Sequence, residues 1–227
     1  MAQNPELKTS LKQRIGVIIV VVALIGSTIA LYMGIVLSYN SSNNPAINSE
    51  KQARFDELYS QYQEQMSEQA AELSAIHFTE FSAHRSRVKS YNAANVTKLT
   101  YEDLKIGTGE TVTEGFTDYA AYYIGWLSDE TIFDTSLNDP DNPTSLKNPL
   151  AGGDMIEGWN QGIIGMKIGG IREISIPAEL AYGPDERGSI PANSPLKFIV
   201  MLIAQPETID WSDEMFSLYS ELYGGEY

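Results

Sequence analysis

The stretch that most constrains this chain is Met155–Met166, a short segment of helical character with two glycines inside it. Ile156, Trp159 and Ile163 recur in it with helical spacing, so one face of the predicted helix is apolar. Each internal glycine costs about 1 kcal/mol relative to alanine. Such a helix is explained if another surface comes very close to its backbone. Taken alone, the segment also fits an ordinary core helix with a core tryptophan.

The segments on both sides of this helix are predicted to be strands. They are Thr97–Ile106, Phe116–Leu127, Thr131–Ser136, Gly170–Pro177 and Leu196–Ala204. The last of them is apolar along most of its length, which is typical of a central strand. A proline-rich loop, Asn138–Pro149, separates the third strand from the helix. Many strands around one short helix predict an α+β domain, an antiparallel β-sheet curled around one short α-helix.

Composition excludes several classes of function. Cysteine is absent, which rules out disulfides, thiolate metal sites and a cysteine nucleophile. The net charge of −15 falls mostly after residue 98, with −10 in residues 99–205 and −6 in residues 206–227. Nucleic acid is not an expected partner, because it requires basic patches. Neither a metal site nor a cofactor is expected, and His77 and His84 are interpreted as solvated helix residues.

An apolar run near the N-terminus predicts a transmembrane helix at residues 15–37. These 23 residues carry no charge. As a helix they would be about 34 Å long, enough for a bilayer core of roughly 30 Å. The alternative is a cleaved signal peptide, whose apolar region is usually about 7–15 residues. The length therefore favours an uncleaved signal anchor.

Basic residues predict the orientation of this anchor. Three of them precede the span, Lys8, Lys12 and Arg14, whereas the first after it is Lys51. The positive-inside rule then places residues 1–14 in the cytoplasm. Residues 38–48 are predicted to form a linker, and everything beyond them is extracytoplasmic. We expect a single-pass cell membrane protein.

Residues 49–92 are predicted to form a long helix. An apolar seam follows a four-three spacing through Phe55, Tyr59, Tyr62, Met66, Leu73 and Ile76. About three heptads are the lower limit for predicting a coiled coil. The helix is therefore either a stalk or dimerisation helix, which would form a homodimer, or an amphipathic helix packed on its own domain.

The acidic, aromatic tail at residues 207–227 contains a second helical pattern. Its apolar residues are Trp211, Met215, Leu218 and Leu222, with Ser212 or Asp210 available as a cap. This tail either docks as a helix or frays as a terminus.

Several short motifs in a fixed order carry a resemblance to a known family. They are Tyr123-Ile124-Gly125, Ile132–Ser136, Met155–Trp159, Gly162–Gly170, Ile176-Pro177, Leu180–Gly183, Ile190–Leu196 and Phe198. Each is weak alone, but the ordered set is specific. The predicted domain at residues 96–206 resembles the FKBP family of peptidyl-prolyl cis-trans isomerases. The matching residues make up a little under half of the chain.

The resemblance implies a five- or six-stranded antiparallel sheet around the short helix, with an aromatic pocket between them. The catalytic positions it implies are Tyr123, Phe133, Asp134, Trp159 and Tyr182. The substrate-binding positions it implies are Met155, Ile156, Ile190, Phe198 and Leu146. Leu146 stands where relatives often carry a further aromatic residue, and Asp185–Ser189 is an acidic variant of the family's flap.

The resemblance also implies roles for some of these groups. Tyr182 and the backbone N–H of Ile190 would hold carbonyls of the substrate, and Tyr123 would orient Asp134. Isomerisation about an X–Pro bond breaks no covalent bond, so it needs no nucleophile, metal or general base. The expected partners are proline-containing polypeptides outside the membrane. The alternative function is a non-catalytic chaperone or scaffold module on a membrane-anchored stalk.

Overall fold

The computed structural model describes residues 45–153 and 155–223. The chain divides into two compact units. Of the described residues, one unit combines 45–62 with 210–223, and the other, which we call the sheet unit, lies within Gln63–Ile209. Each unit is described by itself.

Several predictions about the N-terminus fall outside these residues. The transmembrane helix at 15–37, the cytoplasmic segment at 1–14 and the first part of the linker at 38–48 belong to the undescribed part. No helix within the two described ranges is both long and apolar enough to cross a bilayer.

The described chain contains three α-helices and six strands. In order they are α1 (Pro45–Ala83), β1 (Thr100–Lys105), β2 (Tyr119–Trp126), β3 (Ile132–Thr135), β4 (Leu150–Ala151), α2 (Glu157–Ile163), β5 (Ile171–Ile176), β6 (Leu196–Ala204) and α3 (Asp213–Tyr223). Each predicted strand segment contains one of them. The two-residue strand β4 was missed, because it is short and follows a proline-rich loop directly.

The six strands form one antiparallel sheet in the sheet unit. Their order is β1-β5-β6-β2-β3, and β4 pairs with β2. The nine-residue strand β6 pairs with β5 on one side and with all eight residues of β2 on the other. The predicted antiparallel sheet with a short helix and a separate long helix is confirmed, and Leu196–Ala204 is central as expected.

Both faces of the sheet are buried. On one face, Ala121 and Val200 pack in a cluster around Trp159 of α2. On the opposite face, Tyr122 and Ile199 pack in a second cluster that includes residues of α1. Strands buried on both faces need apolar side chains at successive positions. This requirement explains why β2 and β6 have no alternation of polar and apolar residues.

The second half of α1 packs on its own sheet, which is one of the two structures predicted for this helix. Phe81 is fully buried, and its ring centroid lies 6.0 Å from that of Tyr122. The hydroxyl of Ser74 accepts the backbone N–H of Leu146 at 2.8 Å. Ile76, a predicted member of the apolar seam, is 70% exposed in the single chain, so it takes no part in this packing. The buried stripe of α1 contains Ser74. Because this residue is polar, the spacing of apolar residues does not identify the face of α1 that is buried.

The bounds of α1 differ from the prediction at both ends. Pro45 begins the helix, since its fixed φ suits a first turn, whereas residues 38–48 were predicted to be a linker. The helix ends at Ala83 and continues as a 3₁₀ turn, His84–Arg87, instead of reaching residue 92. No glycine or proline marks this end. The position of the helix end depends instead on tertiary packing, since Val88, just after the 3₁₀ turn, is 3% exposed and belongs to the second cluster.

The other unit joins the first half of α1 to α3. Phe55 is 1% exposed, and its ring meets that of Trp211 edge to face at 5.8 Å. Ion pairs join Arg54 to Glu214 at 2.8 Å and Lys51 to Glu221 at 2.6 Å. The hydroxyl of Ser212 accepts the backbone N–H of Met215 at 3.2 Å, which is the predicted helix cap. In this structure the tail helix docks within its unit.

Tyr122→Phe is expected to stabilise the protein. The Tyr122 hydroxyl is buried on the α1 side of the sheet, and no hydrogen-bond partner for it is found among the described residues. Removing an unsatisfied donor should raise the free energy of unfolding by about 1 kcal/mol. In a protein of this size, calorimetry should show a rise in Tm of about 2–4 °C.

The matched control is Tyr91→Phe, which removes a hydroxyl that donates to the carbonyl of Pro195 at 2.8 Å. This variant should be less stable than the wild type.

Burial raises the pKa of Tyr122 to about 12. The unfolded chain loses this proton near pH 10 and the folded protein only near pH 12, so the free energy of unfolding falls as the pH rises from 10 to 12. Tyr122→Phe should lose less stability over that interval, and an equal loss in both proteins would contradict this account.

Candidate active site

The floor of the candidate site is Trp159, which lies in α2 and is fully buried. A Cβ at Gly162 would come within 2.7 Å of Ile174 Cγ2, and one at Gly158 would collide with Ile176 Cγ2. The glycines therefore allow β5 to pack directly on the backbone of the helix. The sequence predicted that another surface comes close to the backbone of this helix, and this prediction is confirmed for β5 of the sheet.

Three aromatic rings stand around this floor. Tyr123 meets Trp159 edge to face, with ring centroids 5.7 Å apart and an interplanar angle of 87°. Phe198 meets it at 5.3 Å, also at 87°, and Phe133 meets Phe198 at 5.5 Å and 83°. Edge-to-face pairs are the favoured arrangement and contribute roughly 0.5–1.5 kcal/mol each beyond area burial. We call these four residues the aromatic cage.

Gly125 is required beneath the cage, a role that the sequence reasoning missed. A Cβ at Gly125 would lie 2.6 Å from Phe133 Cζ and 2.7 Å from Phe198 Cε1. Glycine is therefore the residue that lets both rings lie against β2. The signal was present, since a glycine inside a strand often marks a close approach.

A hydrogen bond at the edge of the cage joins Tyr123 to Asp134. The Tyr123 hydroxyl donates to Asp134 Oδ2 at 2.6 Å, and the backbone N–H of Thr135 donates to Oδ1 at 2.8 Å. Burial, and then the hydrogen bond to Asp134, raises the pKa of Tyr123 well above its usual value. Tyr123 therefore stays protonated at neutral pH and holds the exposed carboxylate in one orientation.

Residues of β3 and the turn after it hold the backbone of Tyr123. The Thr135 hydroxyl donates to the Tyr123 carbonyl at 3.1 Å, and the Ser136 hydroxyl accepts the Tyr123 N–H at 3.0 Å. Both hydroxyl-bearing residues are buried. Sequence reasoning quoted them within a motif without giving them this role, because a small hydroxyl residue in a strand has no distinctive pattern.

The structure corrects one predicted hydrogen-bond donor. The backbone N–H of Ile190 donates to the carbonyl of Arg187 at 2.9 Å, inside a tight turn, so it is not available to a substrate. Ile156 lies at the N-cap of α2, and no acceptor for its N–H is found in the described part of the chain. No acceptor for the Tyr182 hydroxyl is found among the described residues either. Among the described residues, the N–H of Ile156 and the hydroxyl of Tyr182 are therefore donors beside the cage without a partner in the protein, and the buried Nε1 of Trp159 is a further one.

The remaining predicted positions divide between the two faces of the sheet. Met155, Ile156, Tyr182 and Ile190 all pack against the cluster that contains Trp159. Leu146 does not, because it is buried in the cluster on the α1 face. A β-bridge to Leu137 and the hydrogen bond to Ser74 turn it to that side. The predicted substrate-binding role of Leu146 is corrected accordingly.

A separate groove of about 280 Å³ opens elsewhere on the sheet unit. Polar and charged residues line most of it, including Asn92, Lys98 and Lys197. It shares no residue with the aromatic cage, and it lacks a buried aromatic floor. We therefore assign the candidate site to the cage.

The fold and the cage together define a class of α+β domain in which an aromatic cage lies between an antiparallel sheet and one short helix. The family profile described as "FKBP-type peptidyl-prolyl cis-trans isomerase" matches residues 105–203. The "FK506-binding protein" of Neisseria meningitidis serogroup B is 40% identical over 106 residues, 46% of this chain and 94% of that relative. The chain therefore belongs to the family of FKBP-type peptidyl-prolyl cis-trans isomerases.

Other relatives are much longer than the matched region. "FK506-binding protein 4" of Gibberella zeae is 45% identical over 105 residues, 46% of this chain and 20% of that protein. The chain thus spans about a fifth of the length of such fungal relatives. The solved structure titled "Crystal structure of FkpA from Escherichia coli" is 27% identical, with 79% of this chain and 84% of that chain covered and a TM-score of 0.38.

Gly125→Ala is expected to destabilise the cage. The added methyl group has no space between Phe133 and Phe198, and such overpacking costs about 1–3 kcal/mol. Urea unfolding should show this loss, and near-ultraviolet circular dichroism should show altered aromatic signals. Gly153→Ala is the matched control, because a Cβ there meets nothing within 4 Å. Equal stability of the two variants would contradict the packing described.

Proposed function

We propose that this chain is a peptidyl-prolyl cis-trans isomerase that acts on proline-containing polypeptides. The observation that carries the proposal is the aromatic cage, in which Tyr123 and Phe198 stand edge to face on the buried ring of Trp159. A prolyl ring is apolar and compact. It fits a site whose floor and walls are aromatic and whose rim carries a few polar groups.

The chemistry requires only that the site favour the twisted amide. The barrier to rotation about a peptide bond is about 20 kcal/mol, because rotation breaks amide resonance. Water stabilises the planar, more polar form, so transfer into an apolar cage disfavours the ground state. Interactions made only with the twisted form then lower the barrier. No step forms or breaks a covalent bond.

The polar groups at the edge of the cage have complementary roles in this mechanism. The N–H of Ile156 and the hydroxyl of Tyr182 donate to carbonyls on either side of the prolyl bond. The Asp134 carboxylate, oriented by Tyr123 at 2.6 Å, stabilises the polarity of the twisted amide. Met155 and Ile190 complete the apolar boundary.

Prolyl isomerisation by the full-length protein tests the proposal directly. A proline-containing chromogenic peptide should isomerise faster with the wild type than without protein. Phe133→Ala combined with Asp134→Ala should abolish most of this acceleration, because it removes a cage wall and the rim carboxylate. Undiminished activity in the double variant would overturn the site. Suppression of client aggregation without any isomerase activity would instead favour the alternative, a non-catalytic chaperone or scaffold.

Tyr123→Phe should lower kcat/KM by about threefold to tenfold. The change keeps the ring of the cage but removes the hydrogen bond that orients Asp134, and a factor of ten corresponds to about 1.4 kcal/mol. Tyr122→Phe is the matched control, since the adjacent side chain points to the opposite face of the sheet. Steady-state kinetics of both variants measure the difference. An equal change in kcat/KM would contradict the role of Tyr123.

We also propose that the protein is anchored through residues 15–37, with residues 1–14 cytoplasmic and the isomerase domain extracytoplasmic. The charge-free span and the basic residues before it support this topology. Protease added to intact cells should digest the domain and spare residues 1–14. A homodimer through residues 49–92 stays a prediction, and sedimentation velocity of the full-length protein tests it.

A further inference from the structure

Arg172 is a residue of β5, and its guanidinium is a buried cation beside the end of α2. Its side chain is 3% exposed. Nε and Nη2 donate to the two carboxylate oxygens of Asp103 at 2.6 and 3.1 Å. Nη1 donates to the carbonyls of Gly162 and Ile164 at 2.8 and 3.1 Å. The ring of Tyr101 covers the guanidinium at 3.8 Å.

The bonds to Gly162 and Ile164 supply what α2 lacks. Helices of only seven residues are not stable alone, and the last carbonyls of any helix have no partner within it. Arg172 donates to two carbonyls at this end, where a cation is also favoured by the helix dipole. Asp103 offsets the cost of burying the charge, because a bidentate pair satisfies the guanidinium.

The same helix carries the floor of the aromatic cage. Trp159 lies three residues before Gly162, so the two residues occupy one face of α2 in successive turns. We propose that Arg172 is a positioning residue for the prolyl site. Through the carbonyls of Gly162 and Ile164 it sets the height of Trp159 above the sheet. The kinetic consequence rests on the proposed isomerase function, whereas the structural consequence does not.

A second ion cluster between the same strands provides a matched comparison. Glu102 and Glu173 face each other in the register next to Asp103 and Arg172. Arg87 joins these two glutamates at 2.6 and 2.7 Å. Arg87 bridges β1 and β5 as Arg172 does, but among the described residues its hydrogen bonds and ion pairs do not involve α2. A role limited to holding the two strands together would make the two arginines equivalent.

The kinetic experiment compares Arg172→Met, Arg172→Lys and the control Arg87→Met in the full-length protein, well below the Tm of each. We expect kcat/KM to fall about tenfold in Arg172→Met. Arg172→Lys should fall less, since lysine keeps the charge but cannot reach Asp103 and both carbonyls together. Arg87→Met should stay within twofold of the wild type. Equal losses at positions 172 and 87 would overturn the proposal.

Indole N–H resonances give a readout that does not depend on activity. The protein has three tryptophans, and the indole of Trp126 donates to the carbonyl of Lys89 at 3.1 Å on the other face of the sheet. Arg172→Lys should shift the resonance of Trp159 and leave that of Trp126 in place. Arg87→Met should leave Trp159 unshifted.

The two readouts separate failure of this inference from failure of the proposed function. If the wild type has no isomerase activity, the proposed function fails and the Trp159 resonance alone decides the role of Arg172. If Arg172→Met does not fold, Arg172→Lys and Asp103→Asn carry the test. Folded variants at position 172 with an unshifted Trp159 and kcat/KM within twofold of the wild type would overturn the proposal.

Discussion

Direct packing of the α2 backbone on the side chains of β5 is the contact on which the site depends. Ile174 and Ile176 occupy the space that a Cβ at Gly162 or Gly158 would need. This close approach brings Trp159 between the sheet and the helix, where Tyr123 and Phe198 can meet it edge to face. The helix is too short to be stable alone, so its position depends on this packing and on the donors that Arg172 presents to its end.

The two faces of the sheet have different roles. The face toward α2 carries the aromatic cage, in which Phe133 and Tyr123 are only partly buried. The opposite face is closed by the second half of α1 through Phe81. Burial on both sides makes β6 apolar along nearly its whole length. It also gives the rings of the cage a rigid support, because the strands beneath them are packed from behind.

Sequence reasoning succeeded where a residue type has a single physical explanation. The glycines of α2, the central strand and the cap at Ser212 are examples of this kind. It failed where the partner is distant in sequence. Leu146 was assigned to the pocket, but a bridge to Leu137 and the hydroxyl of Ser74 hold it on the opposite face. The donor assigned to Ile190 is occupied by a local turn, and no pattern of residue types could reveal that.

The sequence by itself determined the strand-rich α+β class and the long helix, and its resemblance to a known family implied which rings lie around Trp159. Periodicity, glycine placement and ordered motifs are local properties, so one chain suffices to read them. Only the tertiary structure decided which face of α1 is buried, which backbone donors stay free and that Arg172 caps α2 while bound to Asp103. Each of these depends on contacts between segments far apart in the chain, whose geometry follows from packing and not from local pattern.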